Sequence, residues 1–315
     1  MNMNMDKDNI TLGDYIFAKT IGRNYLIYLI YVYPKLIKYL INILKKIKIM
    51  NMIKLILRSS INYDNCLIKS PSDIMNCIDL LGQVFNIRIG KDIISLEYKG
   101  RELRFIYGEP IRDIILSLIE QFRLEQYSLA KSMGLKDIDV IDVGAYIGDS
   151  AIWFSINGAR HVYAIEPFPY VFRMAETNIK LNNIGNVTLI NAGIGNMRTK
   201  VKILNTISGR YDSILRESID GIDIPILTLE DLVNTYGIED ALLKMDCEGC
   251  EKSILYTSIE TLRRFKYIII EYDHGYLDLM NMLKRAGFTV KKRKRPHIAG
   301  DRITGMLYAI AAMRP

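Results

Sequence analysis

Short apolar runs alternate with longer helical patterns over the second half of the chain, from about residue 138 onward. The short runs are rich in Val and Ile, which is typical of strands buried on both faces of a sheet. Alternating strands and helices predict an α/β fold whose parallel sheet has right-handed crossovers. We predict strands at 138–143, 161–166, 187–191, 241–246 and 267–272. We predict helices at about 149–157, 169–182, 229–236, 251–263 and 276–286.

The segment before this alternation has a different pattern. Residues 93–107 form two alternating runs around Lys99 and Gly100, which predicts a β-hairpin. A helical pattern follows over residues 110–133, and Gly134 is a suitable C-terminal stop. We therefore predict a small mixed region in front of the α/β part.

Two later segments also depart from the alternation. Residues 196–226 contain turn signals and no clear period, so we predict irregular structure there. Residues 288–292 and 304–311 have strand-like patterns close to the end of the chain. We predict that they pair as a closing antiparallel unit.

The first 60 residues combine an apolar run with a basic stripe. Every residue in 25–33 is apolar or Tyr, and Pro34 then interrupts the run. A membrane-spanning helix needs about 20 predominantly apolar residues, so this run is too short. The lysines that follow share one side of a helical wheel, and apolar residues fill most of the rest. Two interpretations of residues 25–58 stay open: a helix lying on a membrane surface, or a helix packed on the following domain.

Positive charge is concentrated in this N-terminal region. The chain has 315 residues and a net charge of +7 at pH 7. Residues 15–63 contain nine basic and no acidic residues, whereas residues 1–14 contain three Asp and one Lys. The remainder therefore carries no net charge. Half of the residues are hydrophobic, which excludes a disordered chain. We expect three parts: a basic amphipathic helical segment at 1–60, a small mixed α/β cap at 61–134 and an α/β domain at 135–315.

Residues 138–154 contain a strand, a glycine turn and the start of a helix. This is typical of a cofactor site, because glycines admit a ligand to the backbone and a helix N-terminus offers free N–H groups. The glycines, Gly144 and Gly148, follow G-x-x-x-G rather than the G-x-G-x-x-G of dinucleotide sites. Asp142 and Asp149 flank the turn. Carboxylates there disfavour a pyrophosphate but favour the ammonium and sulfonium of S-adenosylmethionine.

The next predicted strand supports this cofactor. It ends in Glu166, 22 residues after Gly144. A carboxylate at this place in an α/β sheet accepts hydrogen bonds from the ribose hydroxyls of a nucleoside. The two strands together predict a site for S-adenosylmethionine.

Five blocks of sequence occur in a fixed order within about residues 120–290. They are Asp142-Val-Gly-Ala-Tyr-Ile-Gly-Asp-Ser150, Glu166-Pro-Phe-Pro169, Asn178-Ile-Lys-Leu-Asn182, Lys244-Met-Asp-Cys-Glu-Gly249 and Ile270-Glu271. In this order they resemble the FkbM-type methyltransferases. The resemblance implies a Rossmann-like class I fold, S-adenosylmethionine as methyl donor and, for most of the family, an oxygen acceptor. The cofactor-binding residues that we expect are Asp142, Gly144, Ala145, Gly148, Asp149, Glu166, Pro167, Phe168, Asn191 and Ala192.

Methyl transfer to a hydroxyl needs a group that removes the proton, placed at the carboxyl ends of the central strands. The fourth predicted strand delivers Asp246 there, and the fifth delivers Glu271, followed by His274 in a loop. We expect Asp246 to be the base, with His274 as the alternative and Glu271 as a further catalytic residue. In the family a histidine usually stands two places after this glutamate, but here it stands three places after it. Lys244 lies on the same side of its strand as Asp246, so we expect it to neutralise Asp246.

Cys247 and Cys250 have the C-x-x-C spacing of redox and zinc sites. Zinc takes four ligands, and Cys66 and Cys77 lie far upstream. We therefore interpret Cys247 and Cys250 as small packing residues with free thiols, as in a reducing cytosol. An acidic rim suits a hard cation such as Mg²⁺, so the use of a divalent cation stays open, but the sequence assigns no ligands to one.

These features predict an S-adenosylmethionine-dependent methyltransferase that acts on a hydroxylated small molecule, such as a sugar or a glycan or lipid precursor. The alternative is an RNA methyltransferase, because the N-terminus is basic and the block from Asn178 to Asn182 is shared with some tRNA enzymes. A neutral domain with an acidic rim argues against nucleic acid. We expect a cytoplasmic enzyme that contacts the inner membrane surface if residues 25–58 lie on it.

Overall fold

The computed structural model describes residues 87–108, 111–123, 125–203, 221–272, 275–292, 297–299 and 302–312. The predicted basic segment at 1–60, with the membrane contact through residues 25–58, lies outside these residues. The division of the chain at residues 60 and 134 stays a prediction. Within the described part of the chain, no helix has both the length and the apolar character that crossing a membrane requires.

The first described element is a small antiparallel sheet of three strands. It consists of β1 (Ile87–Ile89), β2 (Ile93–Tyr98) and β3 (Arg101–Ile106). Lys99 and Gly100 connect β2 to β3, and both have positive φ, at 51° and 74°. Two such residues match the twist of a tight hairpin. The predicted hairpin is confirmed.

The helical pattern that follows is divided into two helices, α1 (Ile111–Phe122) and α2 (Ser128–Met133). The prediction of one helix over residues 110–133 is therefore wrong. Glu125 has a φ of 49°, which is incompatible with a continuous right-handed helix. Gly134 ends α2 in the left-handed conformation, as predicted.

Strands and helices alternate from residue 139, as predicted. The strands of this part are β4 (Asp139–Val143), β5 (His161–Ile165), β6 (Val187–Ile190), β10 (Ala241–Met245), β11 (Phe265–Tyr272), β12 (Phe288–Lys292), β13 (His297–Ala299) and β14 (Arg302–Ala311). Among the described residues they form one sheet in the order β12-β14-β11-β10-β4-β5-β6, with β13 paired to β14. The pairs from β6 to β11 are parallel, and β14 pairs antiparallel with β11 and β12. The Rossmann-like fold and the antiparallel closing pair are confirmed.

The sheet reverses its strand order between β4 and β10, which are neighbours. From β4 the chain continues to β5 and β6 on one side, whereas β10 is followed by β11 on the other. Side chains of β4 alternate between two hydrophobic clusters, with Val140 in one and Ile141 and Val143 in the other. Open α/β sheets bind ligands at such a reversal, outside the carboxyl ends of the strands.

Helices follow most of the parallel strands. They are α3 (Asp149–Ile156), α4 (Pro169–Leu181), α5 (Leu229–Tyr236), α6 (Ile259–Arg263) and α7 (Leu277–Arg285). The predicted helix at 251–263 is wrong as a single element. A 3₁₀ helix (Cys250–Tyr256) comes first, and Ser258 then caps α6 by accepting the Thr261 N–H at 3.0 Å. A serine in this role starts a new helix rather than continuing the old one.

The segment predicted to be irregular contains part of a small sheet. Strands β7 (Gly193–Ile194), β8 (Thr199–Ile203) and β9 (Ile222–Leu227) pair in the order β7-β9-β8. The prediction for residues 196–226 is therefore wrong at both ends of the segment. Its middle, residues 204–220, lies outside the described residues.

Two asparagines, one inside α4 and one at its C-terminal cap, connect the N-terminal hairpin to the rest of the molecule. Asn178 is fully buried; its Oδ1 accepts the Ile106 N–H at 2.8 Å, and its Nδ2 donates to the Ile147 carbonyl at 2.9 Å. Asn182, one turn later, exchanges hydrogen bonds with the N–H and the carbonyl of Arg104. The spacing of the asparagines therefore has a structural explanation, because residues four apart share one face of a helix.

We expect Asn178→Ala to lower the free energy of unfolding by roughly 2–4 kcal/mol, because it leaves a buried N–H and a buried carbonyl without a partner. The matched control is Asn182→Ala, which removes similar bonds to the same strand from a partly exposed site and should cost about 1 kcal/mol or less. Urea unfolding of both variants measures the difference. Equal losses would contradict the bridging role of Asn178.

Candidate active site

The turn between β4 and α3 is shaped by residues with positive φ. Gly144, Tyr146 and Gly148 have φ values of 77°, 47° and 83°. A Cβ atom on Gly144 would lie 1.9 Å from the main-chain oxygen of Asp246, so only glycine fits there. This close approach places the end of β10 directly beside the turn. A non-glycine residue such as Tyr146 in this region is uncommon and marks a constrained loop.

Glu166 follows β5 and holds the turn from the neighbouring strand. Its Oε2 accepts the Tyr146 N–H and its Oε1 accepts the Phe168 N–H, both at 3.0 Å. Each carboxylate oxygen keeps a further lone pair, so the group can also accept the two hydroxyls of a ribose. Burial raises the pKa of Glu166 to about 8, against the lowering effect of the two backbone N–H groups.

The other residues expected at the cofactor surround this carboxylate. Asn191 donates from Nδ2 to the carbonyls of Glu166 and Pro167, at 2.8 and 3.1 Å, and so fixes the loop after β5. Phe168 is buried in the hydrophobic core at the start of α4. Ala145 and Ala192 are fully buried. Their contacts with a cofactor stay predictions.

Asp142 forms a buried ion pair with Lys244. The two side chains are 0 and 1% exposed, and Lys244 Nζ lies 2.9 Å from Asp142 Oδ1. That oxygen receives no aligned hydrogen bond, so the ammonium acts through its charge, while Ser150 Oγ donates to Oδ2 at 2.6 Å. Lys244 also donates to the carbonyls of Val143 and Gly144, at 3.1 and 2.8 Å. Burial lowers the pKa of Lys244, but the charges of Asp142 and Asp246 outweigh it and raise that pKa.

This ion pair corrects one expectation. Lys244 was expected to neutralise Asp246, but its ion-pair partner is Asp142. The charge of Asp142 is matched by Lys244 and its side chain is buried, and its contact with the cofactor stays a prediction. We infer that Asp142 supports the turn through Lys244.

Asp149 is also buried, at the first position of α3. Its Oδ2 accepts a hydrogen bond from Ser117 Oγ of α1 at 2.6 Å. A carboxylate in the first turn of a helix is favoured by the helix dipole. Asp149 therefore connects α1 to the helix that follows the glycine turn.

Asp246 stands at the end of β10, where its N–H donates to the Val143 carbonyl of β4 at 3.2 Å. Its Oδ2 accepts a hydrogen bond from the Tyr127 hydroxyl at 2.7 Å. On the neighbouring strand β11, Glu271 Oε2 accepts one from Gln126 Nε2 at 2.7 Å. The alternative base His274 lies outside the described residues.

Sequence reasoning missed Ser117, Gln126 and Tyr127. They come from the segment α1–α2, and the two contacts with the strand-end carboxylates join residues 145 and 119 positions apart. Local periodicity carries no information on such contacts. The one available indication was the clustering of polar side chains within an otherwise apolar helical pattern.

Cys247 and Cys250 form a disulfide, with 5.5 Å between their Cα atoms. The expectation of two packing residues with free thiols is therefore wrong. The disulfide closes the loop that follows Asp246, and Gly249 inside this loop donates its N–H to Glu251 Oε2 at 2.7 Å. The disulfide thus joins the two ends of the short loop 247–250 covalently.

A metal site was not predicted. Within the residues that the structure describes, no group of three or more His, Cys, Asp and Glu side chains is arranged to hold a metal ion.

Residues 142–290 match the family model described as the methyltransferase FkbM domain. This part of the chain belongs to that family, so the resemblance inferred from the five sequence blocks is confirmed. The protein is a methyltransferase with S-adenosylmethionine as its methyl donor. No curated protein matches the sequence.

Several solved structures are similar to the chain at low identity. Precorrin-6y C5,15-methyltransferase from Geobacter metallireducens GS-15 has 16% identity and a TM-score of 0.38, over 66% of this chain and 94% of that one. Magnesium protoporphyrin IX methyltransferase from Synechocystis PCC 6803, with bound SAM, has 16% identity and a TM-score of 0.38, over 65% and 86%. An rRNA methylase from Streptococcus thermophilus has 13% identity and a TM-score of 0.38, over 59% and 96%. Similarities of this size support no conclusion about the acceptor.

We expect the affinity for S-adenosylhomocysteine to rise as the pH increases from about 6.5 to about 9, by up to about tenfold per pH unit below the pKa of Glu166. The ionised carboxylate accepts ribose hydroxyls best, so binding favours ionisation and releases a proton. Calorimetry in two buffers of different ionisation enthalpy measures that release. Glu166→Gln cannot titrate and is the control, since the ligand's own amino group titrates in both proteins. An identical pH slope in the two proteins would contradict this role.

The disulfide predicts that the tryptic peptide 245–252, which contains both cysteines, lacks two hydrogen atoms when it is prepared without reductant. Iodoacetamide should label Cys247 and Cys250 only after reduction with dithiothreitol. Cys250→Ser is the control, because it should leave Cys247 open to alkylation. Mass spectrometry that finds both thiols alkylated in the unreduced protein would refute the bond.

Proposed function

We propose that this methyltransferase, whose residues 142–290 are the FkbM domain, methylates a hydroxyl oxygen of a small molecule. The acceptor class that we infer is a sugar or a hydroxylated glycan or lipid precursor. Asp246 is the general base in this proposal. The observation that carries it is the position of Asp246 at the end of β10, in contact with the glycine turn.

The closeness of Asp246 to the turn is what an in-line transfer needs. S-adenosylmethionine supplies an electrophilic methyl group and its own leaving group. The chain then has to orient the acceptor and to accept its proton. Because the main chain of Asp246 touches Gly144, the residue that carries the carboxylate lies directly beside the turn to which we assign the donor.

The hydrogen bond from Tyr127 also orients the carboxylate of Asp246, so that one of its oxygens is assigned to the acceptor's proton. Its Oδ2 is occupied by the Tyr127 hydroxyl. Oδ1 has no such partner in the hydrogen bonds just described, so it is the oxygen that we assign to the acceptor. Glu271, bonded to Gln126, lies on the adjacent strand and is suited to accept a second hydroxyl of the same acceptor. Two carboxylates that bind neighbouring hydroxyls favour a polyol over an acceptor with one polar atom.

Charge favours an uncharged acceptor over RNA. Asp246 and Glu271 give the rim two carboxylates, and Lys244, whose charge interacts with Asp246, is buried against Asp142. A phosphate backbone would be repelled by such a rim, because RNA binding depends on lysines and arginines that neutralise phosphates. Residues 64–315 carry no net charge, as counted from the sequence.

We expect Asp246→Asn to lower the turnover number by about 10²–10⁴-fold, which is the usual contribution of a positioned base. The affinity for S-adenosylhomocysteine should change little, because its ribose contacts are assigned to Glu166. Glu271→Gln is the matched variant, since it also replaces a rim carboxylate by its amide. If Glu271→Gln abolishes turnover and Asp246→Asn does not, then Glu271 is the base. Single-turnover rates and calorimetry separate the two effects.

The acceptor class can be tested with S-adenosylmethionine that carries a labelled methyl group. The full chain is incubated with a polar metabolite extract, a lipid extract and total RNA from cells. Label in a sugar or glycolipid fraction that survives mild alkali indicates a methyl ether, because methyl esters are hydrolysed under these conditions. Label that is retained with RNA and released by ribonuclease would refute the proposal and support the RNA alternative.

A further inference from the structure

Tyr127 lies outside the residues that match the FkbM family, yet it contacts the carboxylate that we assign as the base. Its hydroxyl donates to Asp246 Oδ2 at 2.7 Å, and the side chain is 2% exposed. It is the residue just before α2, at the break in the predicted helix. The break therefore affects the site, because it places the buried Tyr127 hydroxyl next to the end of β10.

The ring of Tyr127 is held by two further contacts. It stacks on Phe154 of α3, with ring centroids 5.6 Å apart and an interplanar angle of 20°. The ammonium of Lys244 lies 5.6 Å from the ring centroid, a distance at which a cation is attracted to an aromatic face. Since α3 and β10 belong to the central fold, the hydroxyl is fixed relative to Asp246.

We propose that Tyr127 is the positioning residue for Asp246: it fixes the carboxylate through Oδ2 and leaves Oδ1 to receive the acceptor's proton. This inference rests on the proposed function of Asp246. Tyr127 stays protonated and can donate to the carboxylate, because burial raises the pKa of its hydroxyl well above the usual value, and the charges of Asp246 and Glu271 add to this.

The hydrogen bond matters to a general base because it selects one orientation of the carboxylate. The reacting groups must be aligned for methyl transfer, so a fixed orientation raises the rate. The second oxygen of Asp246, Oδ1, then keeps one direction relative to the acceptor.

A neighbouring contact supports the same role for the segment between α1 and α2. Gln126, the preceding residue, donates to Glu271 Oε2 at 2.7 Å. Two consecutive side chains thus hold the two carboxylates of the rim, one on each of two adjacent strands. A segment with a purely packing role would not need a polar contact to each.

Several charged groups surround the pair. They are Lys244 on β10, Asp142 on β4, Asp149 at the start of α3 and Glu271 on β11. All of them stay in place when Tyr127 is replaced by phenylalanine. A shift of the Asp246 carboxyl resonance in that variant therefore reports the lost hydroxyl.

The test is ¹³C NMR of the full chain labelled at its aspartate carboxyl carbons, at one fixed pH and with S-adenosylhomocysteine present. Asp246→Asn identifies the resonance by its loss. We expect Tyr127→Phe to shift the Asp246 resonance, because the carboxylate loses a hydrogen bond. Site-specific 3-fluorotyrosine at position 127, a stronger donor, should shift it in the opposite direction and keeps the side chain in place should the phenylalanine variant fold poorly.

Tyr98→Phe is the matched control. The Tyr98 hydroxyl donates to Glu125 at 2.9 Å, so this variant removes a hydroxyl–carboxylate bond to the same segment without touching Asp246. It should leave the Asp246 resonance unchanged. The turnover number should fall by about tenfold or more in Tyr127→Phe alone, with little change in the affinity for S-adenosylhomocysteine.

The two proposals fail in different ways. An Asp246 resonance at the same position in the wild type, in Tyr127→Phe and in the fluorotyrosine protein would overturn the role of Tyr127, whatever the activity of Asp246→Asn. Full activity of Asp246→Asn would overturn the proposed base, whatever the resonance shows. A shifted resonance together with an inactive Asp246→Asn supports both.

Discussion

The ion pair between Lys244 and Asp142 is the contact on which the site depends. It joins β10 to β4 at the reversal of strand order, the place where open α/β sheets bind their ligands. The same ammonium donates to the carbonyls of Val143 and Gly144, and so ties the start of the glycine turn to the neighbouring strand. Removal of one member of such a pair typically costs roughly 3–5 kcal/mol, because a buried charge is left without a partner.

This pair also explains how acidic residues can be concentrated near one edge of the sheet. Buried carboxylates are tolerated only when cations or hydrogen-bond donors satisfy them. Asp142 has Lys244 and Ser150, Asp149 has Ser117, and Glu166 has two backbone N–H groups. The two carboxylates that we assign to the methyl acceptor follow the same rule. Tyr127 donates to Asp246, and Gln126 donates to Glu271. The site is therefore a set of carboxylates whose donors come mainly from side chains and main chain of adjoining elements.

Several of these donors lie before the FkbM domain. Ser117, Gln126 and Tyr127 belong to the segment α1–α2, whereas the family match begins at residue 142. The hairpin β2–β3 is fastened to α4 through Asn178, which also bonds to the glycine turn. The region in front of the domain is thus connected to both halves of the site, and this offers a physical route by which it influences the choice of acceptor.

The sequence by itself determined the elements whose patterns are local. Apolar periodicity and turn residues act over a few positions. They predicted the strand, glycine turn and helix over residues 138–154, the hairpin at Lys99 and Gly100, and the alternation of strands and helices that follows. Glu166 was found because its place at the end of a strand is set by the same periodicity.

Only the tertiary structure decided the partners: Asp142 with Lys244, Asp246 with Tyr127, and Cys247 with Cys250. It also decided the break between α1 and α2. The first two partnerships and this break depend on contacts between residues about a hundred or more positions apart, where tertiary packing overrides local helix propensity. The disulfide is close in sequence, but its formation depends on how the folded loop aligns the two sulfur atoms.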